Sequence, residues 1–593
     1  MKKILMATAA LLACLYGNPT LYAQRPASSP NLTVLLNNHT RMVPLRDLGH
    51  RDIAYVSRLT TPAFAVVGDM LERYAPVERF GIPEHIDQYH GLDEQLKYFN
   101  TIILGLEAAD LGDKRLLQFI STQAVGKQVI LTVFGAGVKL RELDFVHYPI
   151  LWNPELSEIS ARNAAMSVFG GIACTARLPQ SFSARYSTGA GFTTEQTRLA
   201  YTDAQALGID AAYLEGAIDA IAEEAIRERA TPGAVVLVAK GGKVIFEKAY
   251  GHHTYTGDRL TQVSDLFDMA SITKITATTP TIMRLVERGV INLDSTMGHY
   301  LLQAQNTNKN RTKLRDIMLH EAGFIPYIPF YRDLKPGDLS PDSSAAYSVK
   351  VADGCFIRTG YYQDVMWPIM LYSKLNSPGT YVYSDISMYV MKEVAEHQTG
   401  IPIQEYIQQE FYRPLGMKTA GYLPRQRFSK GRIVPTEDDK GFRKILLQGY
   451  VHDQGAAMAG GIAGHAGLFA TANDLAIYGQ LLLNRGEYGG DRYFKGETVD
   501  LFTSRQSAVS RRGLGFDRWD PDTTKHYPSR LASDATFGHT GYTGTCIWID
   551  PKEQLIYVFL SNRVHPAVST KLSTLNIRGR IQDAVYEAIY SVE

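Results

Sequence analysis

Ser271-Ile272-Thr273-Lys274 places a hydroxyl and an amine three residues apart, and side chains at that spacing share one face of a helix. The apolar positions Ile282, Met283, Leu285 and Val286, closed by Gly289, predict a helix that begins near Ser271. A serine hydroxyl is a weak nucleophile until a neighbouring base takes its proton. Lysine can act as that base once burial and nearby positive charge pull its pKa down. The first helical turn adds backbone N–H groups and a partial positive field. Alone, Ser-x-x-Lys recurs by chance in long chains, and its plain alternative is a helix-capping hydroxyl followed by a solvated lysine.

Two distant motifs give the pair a context. Tyr383-Ser384-Asp385 follows the turn-forming run Pro378-Gly379-Thr380 and precedes a helix predicted from about Ile386. His539-Thr540-Gly541 opens the run from Tyr542 to Ile549, which is predicted as one strand. That run ends at the turn Asp550-Pro551-Lys552-Glu553, and a second strand is predicted from Leu555 to Leu560.

In this order and at this separation, the three motifs resemble those of the serine D-alanyl-D-alanine carboxypeptidases, class C β-lactamases and related esterases and amidases. The resemblance runs from about Ala200 to the C-terminus and includes the segment from Gly464 to Ala476. It implies Ser271 as nucleophile, with Lys274 sharing or taking its proton and Tyr383 completing the network. A phenol ionises near 10, so Tyr383 serves as a base only beside ammonium charge and otherwise passes protons as an acid. Asp385 stands where the family commonly has asparagine. A carboxylate only accepts hydrogen bonds, so it either pairs with Lys274 or receives a substrate N–H, and recognition of a β-lactam amide is put in doubt. His539 stands where most β-lactamases have lysine, and a mostly neutral imidazole holds a substrate carboxylate less firmly than an ammonium does. Thr540 still offers a hydroxyl. Gly541 allows close approach of the strand to substrate. The N–H groups of Ser271 and Tyr542 are implied to form the oxyanion hole.

Other histidines carry less. His252-His253 lack a carboxylate or cysteine at ligand spacing, so no metal site is expected. Val451-His452-Asp453 and His465, near the glycine-rich loop Gly460-Gly461-Ile462-Ala463-Gly464, are read as loop structure. No phosphate-binding loop, basic patch or cofactor motif appears.

The elements that must position these groups follow from length and periodicity. At 593 residues the chain exceeds a single core. Its net charge of +1 gives no sign of a nucleic-acid surface. Met1-Lys2-Lys3, an apolar run from Ile4 to about Tyr16, and Leu21-Tyr22-Ala23 read as a signal peptide over residues 1–23, which implies an exported, periplasmic or cell-envelope protein. Leu11-Leu12-Ala13-Cys14 is alternatively a lipobox, with Cys14 lipidated as a membrane anchor. At most Cys355 and Cys546 could form a disulfide in the mature chain.

Residues 24–45 are read as a linker and residues 46–197 as a first module. There Ala63–Val67, Thr101–Leu104 and Val129–Val133 are predicted as buried strands, with a helix from Leu116 to Gln123. The alternation predicts a parallel sheet with helices on both faces. Val168-Phe169-Gly170, Arg177-Leu178-Pro179 and Gly189-Ala190-Gly191-Phe192-Thr193 resemble the C-terminal α/β sandwich of family 3 glycoside hydrolases. That family's catalytic groups lie in a preceding barrel, for which this chain has no room, so no glycosidase chemistry is expected.

Residues 198–593 form the second module. It is predicted to begin with a helix bearing Leu214, Ile218, Ile221 and Ala225, followed by a hairpin, Val235–Ala239 and Val244–Lys248, across Gly241-Gly242. A terminal helix carries Ile581, Val585, Ala588 and Ile589. The expected fold is thus an α/β sandwich plus an α+β domain, with an antiparallel sheet flanked by helices and an all-helical lobe. The resemblances imply an exported serine amidase or peptidase acting on a muropeptide, alongside a separate family 3 glycosidase. A carboxylesterase, a weak β-lactamase or D-alanyl-D-alanine carboxypeptidase, and a non-catalytic wall-binding protein remain as alternatives.

Overall fold

The computed structural model describes residues 31–85 and 88–591. The expected signal segment and Cys14 lie outside them. The first sheet contains β1 (Val34–Leu36), β2 (Ile53–Ser57), β3 (Val77–Gly81), β4 (Thr101–Glu107), β5 (Gln128–Phe134) and β6 (Ile150–Asn153), in the order β1-β6-β5-β4-β2-β3. β1 runs antiparallel to β6, and the other neighbours are parallel. Four helices accompany it: α1 (Pro62–Leu71), α2 (Tyr89–Leu96), α3 (Lys114–Gln123) and α4 (Glu158–Phe169). Successive strand residues point to opposite faces. Accordingly Ile53 and Tyr55 pack with α1 and α4, while Ala54 and Val56 pack with α2 and α3.

Two expectations for this module are corrected. Ala63–Val67 is part of helix α1, not a strand. Pro62 occupies the first turn, and Phe64, Val67, Met70 and Leu71 form the buried face, a pattern that a five-residue apolar run cannot reveal. Residues 34–36, inside the expected linker, form β1, where three consecutive apolar side chains are buried against β6. A strand that short shows no alternation to read.

The second sheet contains β7 (Ala200–Tyr201), β8 (Gly233–Lys240), β9 (Lys243–Gly251), β10 (Asp517–Arg518), β11 (Phe537–Thr540), β12 (Cys546–Asp550) and β13 (Leu555–Ser561), in the order β10-β11-β12-β13-β8-β9-β7. All neighbours are antiparallel except β7 and β9. Gly241 and Gly242, at φ 57° and 75°, make the tight β8–β9 turn. The helices that matter to the site are α5 (Ala211–Arg227), α6 (Thr279–Glu287), α7 (Ile386–Thr399), α8 (Gln454–Met458), α9 (Ala472–Leu483) and α10 (Ile577–Tyr590). One sheet face, with Val236, Val238, Trp548 and Phe559, packs on α5 and α10. The other, with Leu237, Ile547, Ile549 and Val558, packs on the helical lobe that holds α6, α7 and α9. The catalytic candidates lie along that second boundary.

The run from Tyr542 to Ile549 is not one strand. His539 and Thr540 belong to β11, the chain turns through 541–545, and β12 starts at Cys546. Gly544, at φ 97°, supplies a turn conformation that disfavours a side chain. The lobe is not wholly helical either. It carries a small sheet of Leu339–Ser340, Val349–Ala352 and Cys355–Ile357, whose hairpin turns at Asp353-Gly354, with Gly354 at φ 64°. Cys174, Cys355 and Cys546 are free thiols. The two sheets are tied together by Tyr74, whose hydroxyl donates to the Leu199 carbonyl at 2.8 Å, and by Arg73, which bonds Glu247 on β9 and Asn473 on α9. No helix among the described residues is long and apolar enough to cross a membrane.

Candidate active site

A strained corner presents Ser271. The short strand Phe267–Asp268 pairs with Phe469–Ala470, and Ala270 then adopts φ 46°, a left-handed conformation costly for a residue with a Cβ. Asp268 holds the corner. Its Oδ1 accepts the Ala270 N–H at 2.9 Å and its Oδ2 the His452 N–H at 2.7 Å, and burial raises its carboxyl pKa. Ile272 begins the helix. Lys274 opens a π turn, Lys274–Thr278, that leads into α6, a local widening often found at functional positions.

Lys274 is a fully buried side chain, not a solvated one. Its Nζ donates to Ser271 Oγ at 2.8 Å and to Asp385 Oδ1 at 2.7 Å, and lies 3.5 Å from the His465 carbonyl. Asp385 sits at the start of α7 with its side chain 26% exposed. Of the two roles expected for Asp385, the structure displays the pairing with Lys274. Burial pulls the Lys274 pKa down, but Asp385, with help from Tyr383, more than offsets that and holds it above its ordinary value. The field that would free the amine as a base is therefore absent before substrate binds, and the resting lysine is an ammonium donating to Ser271.

Tyr383 places its ring 4.9 Å from Lys274 Nζ. It packs between His320 and His539, at centroid distances of 4.7 and 6.0 Å. His539 is buried, with Nδ1 2.7 Å from the Thr540 carbonyl and Nε2 3.2 Å from Arg512. Burial, then the charges of Arg512 and Lys274, push its pKa down to about 3, so at neutral pH the ring is uncharged, donating from Nδ1 and accepting at Nε2. Burial and Arg512 likewise depress His320 well below its usual range.

Arg512 is the residue that the sequence reading missed most plainly. It is buried, donates from Nε to the Tyr381 hydroxyl at 3.2 Å, faces Asp517 at 3.7 Å and lies over the rings of Tyr381 and Tyr383. Replacing lysine by histidine in the third motif thus does not strip that wall of positive charge. The charge sits one side chain further back, on Arg512.

Thr540 ends β11 and is half-buried. Gly541 is buried, and a side chain there would collide with Thr545 Oγ1 and come within 2.6 Å of the Met269 carbonyl. The close approach that demands glycine is therefore to the Ser271 corner itself. Thr543 Oγ1 stitches the same contact by donating to the Asp268 carbonyl at 2.7 Å. Among the described residues, neither the Ser271 nor the Tyr542 N–H donates a hydrogen bond within the chain, which leaves both for an oxyanion. The Tyr542 side chain is exposed and stacks on His452 at 5.2 Å.

The glycine-rich segment does more than form a loop. Thr278 Oγ1 donates to the Gly464 carbonyl at 2.7 Å, so the loop packs on the π turn that bears Lys274. His465 Nε2 lies 3.0 Å from Asp453 Oδ1. Burial alone would raise the Asp453 carboxyl, but His465 and the Ala456 N–H hold it below its ordinary value. The only sequence signal for this pair was the clustering of histidine and aspartate around glycines. His253, read as unaccompanied, faces Asp265 at 2.8 Å in a buried pair.

The ammonium state of Lys274 yields a pH prediction. If neutral Lys274 is the base, kcat/KM rises as pH climbs through its raised pKa. Asp385→Asn removes the largest raising influence and leaves burial, so the rising limb should move to lower pH. A pH–rate profile checks this, and an unmoved limb would assign the base to another group.

The family model described as Beta-lactamase matches residues 218–579. The "N-acetylmuramyl-L-alanine amidase" of Bacillus subtilis (strain 168) is 31% identical over 396 residues, covering 60% of this chain and 85% of that protein. The "Putative D-alanyl-D-alanine carboxypeptidase" of Escherichia coli (strain K12) is 30% identical over 386 residues, covering 60% and 84%. Among solved structures, "EstCE1, a hydrolase with promiscuous acyltransferase activity" aligns with a TM-score of 0.46 at 20% identity, over 63% of this chain and 99% of that one.

Proposed function

This chain belongs to the beta-lactamase family of serine hydrolases, and from that premise we propose that it is an amidase or peptidase acting on peptidoglycan fragments, cutting the bond between N-acetylmuramic acid and L-alanine. The observation that carries the chemistry is the linked set Ser271 Oγ, Lys274 Nζ and Asp385 Oδ1, with contacts of 2.8 and 2.7 Å. The observation behind the substrate is the likeness to a muramyl-alanine amidase over most of that relative's length. Ser271 Oγ attacks the amide carbonyl, and the N–H groups of Ser271 and Tyr542 receive the developing oxyanion. The Ser271 proton passes through Lys274 or Tyr383 to the leaving nitrogen as the C–N bond breaks. Water then releases the acyl group from Ser271 as a carboxylic acid.

A second reading, D-alanyl-D-alanine carboxypeptidase, is favoured by Arg512, whose fixed charge behind His539 suits a substrate carboxylate. Purified protein incubated with a MurNAc-peptide and a peptide ending in D-Ala-D-Ala, followed by mass analysis, separates the two. Free L-Ala-terminated peptide supports the amidase, and loss of D-alanine alone supports the second reading. Hydrolysis of p-nitrophenyl acetate with neither product would overturn both.

For the N-terminal module we propose likeness to the C-terminal sandwich of family 3 glycoside hydrolases, supported by the mostly parallel sheet and the Arg177-Leu178-Pro179 loop. It serves as a packing or docking unit, with a separate glycosidase trimming the sugar. Pure protein should therefore release no aryl group from aryl N-acetylglucosaminides, and measurable release would refute this. The N-terminal sequence supports export to the cell envelope.

A further inference from the structure

Resting on the reading of this chain as a hydrolase of N-acetylmuramoyl amides, we infer that a pocket beside Asp385 reads hydroxyl groups of the sugar on the acyl half of the substrate. A cavity of about 40 Å3 lies there, lined by Tyr327, Tyr331, Asp385, Tyr389, Asp453 and Gly455 among others. That volume admits one small polar group at a time.

The Tyr389 hydroxyl is the clearest pointer to a ligand. Tyr389 is only 4% exposed, yet its hydroxyl has no hydrogen-bond partner, an arrangement that costs stability unless something binds. It faces the cavity across Gly455. A Cβ at Gly455 would stand 2.7 Å from that hydroxyl and 3.3 Å from Asp453 Oδ1, so the missing side chain is what keeps the space open. The carboxylates add acceptors. Asp385 Oδ1 is taken by Lys274 and Asp453 Oδ1 by His465 and Ala456, while no hydrogen bond among the described residues reaches the second oxygen of either.

A carboxylate oxygen that only accepts and a phenol that can donate match a hydroxyl, which gives one hydrogen bond and receives another. Asp385, Asp453 and His465 bring ligand atoms within 4.8 Å of one another, which would also suit a cation. Lys274 argues against one, because its ammonium lies 2.7 Å from Asp385 and like charges at such range repel. Neutral hydroxyls meet the same acceptors without that conflict. At the rim, Tyr327, 60% exposed, and Tyr331 offer flat faces for the C–H edges of a pyranose ring. Asp385 in place of asparagine thereby acquires a reason: its carboxylate oxygens accept from the sugar's hydroxyls.

The test compares the full chain with Tyr389→Phe and Gly455→Ala on a MurNAc–L-Ala peptide and on a D-lactoyl–L-Ala peptide, which has the same scissile bond without the sugar. The ratio of kcat/KM should favour the sugar-bearing substrate. Tyr389→Phe should lower that ratio roughly 3–10-fold, the worth of one hydrogen bond, and Gly455→Ala should lower it further. In parallel, calorimetry with free N-acetylmuramic acid on Ser271→Ala protein should show weaker binding when either change is added. Weaker sugar binding without any amide cleavage would sink the amidase reading and leave the pocket standing. An unchanged ratio and unchanged affinity in both folded variants would overturn the pocket. So would a stoichiometric metal ion in the purified protein that is lost in Asp453→Asn.

Discussion

Replacing Ser271 by alanine is expected to lower kcat/KM on esters and MurNAc-peptides by about 10⁴-fold or more, with no loss of fold. Removal of a nucleophile that works as one unit with its base abolishes nearly all covalent catalysis. The neighbouring hydroxyls cannot substitute. Ser384, within the second motif, donates to the Ile325 carbonyl at 2.6 Å, and Thr543 is committed to the Asp268 carbonyl at 2.7 Å. Ser271 is the one that receives Lys274, at 2.8 Å. A fluorophosphonate should accordingly form a phosphonyl bond to Ser271 Oγ with loss of fluoride, seen as a mass increase on the peptide containing that residue. Label on another serine, or a Ser271→Ala variant retaining a hundredth of the wild-type rate, would refute the assignment.

What the sequence disclosed about this site divides along contact distance. Ser271 and Lys274 are one helical turn apart, so local geometry alone brings them together. The β8–β9 hairpin and α10 were legible for the same reason, through a Gly241-Gly242 turn and a period of 3.6 residues. Asp385 reaches Lys274 across 111 residues, and only the order of the motifs, through a family resemblance, linked the two, not periodicity. Arg512 had no such help. Its neighbours Arg511 and Gly513 suggest a solvated turn, and while Asp517 is close in sequence, its partners His539 and Tyr381 lie 27 and 131 residues away. Ala63–Val67 failed for a different reason. An apolar run of five residues fits a buried strand and a buried helix turn equally, and the later burial of Met70 and Leu71 decides it.

The buried state of Lys274 changes what its removal should do. A surface lysine could be cut back without structural cost, but this side chain is fully buried and its loss leaves Asp385 without its partner. Lys274→Met keeps most of the volume, so the change acts mainly on charge and proton transfer. Turnover should fall by about 10³-fold or more, since both the proton carrier and the donor to Ser271 disappear. Stability should fall by about 1–3 kcal/mol, the cost of a stranded polar group, moderated because Asp385 is 26% exposed. The two effects separate in the double variant Lys274→Met with Asp385→Asn. Neutralising the carboxylate should recover most of the lost stability in a denaturant titration, yet activity should stay at the level of the single variant. Activity that returned with stability would mean Lys274 holds the site together and another group moves the proton, with Tyr383, whose ring is 4.9 Å from Nζ, next in line.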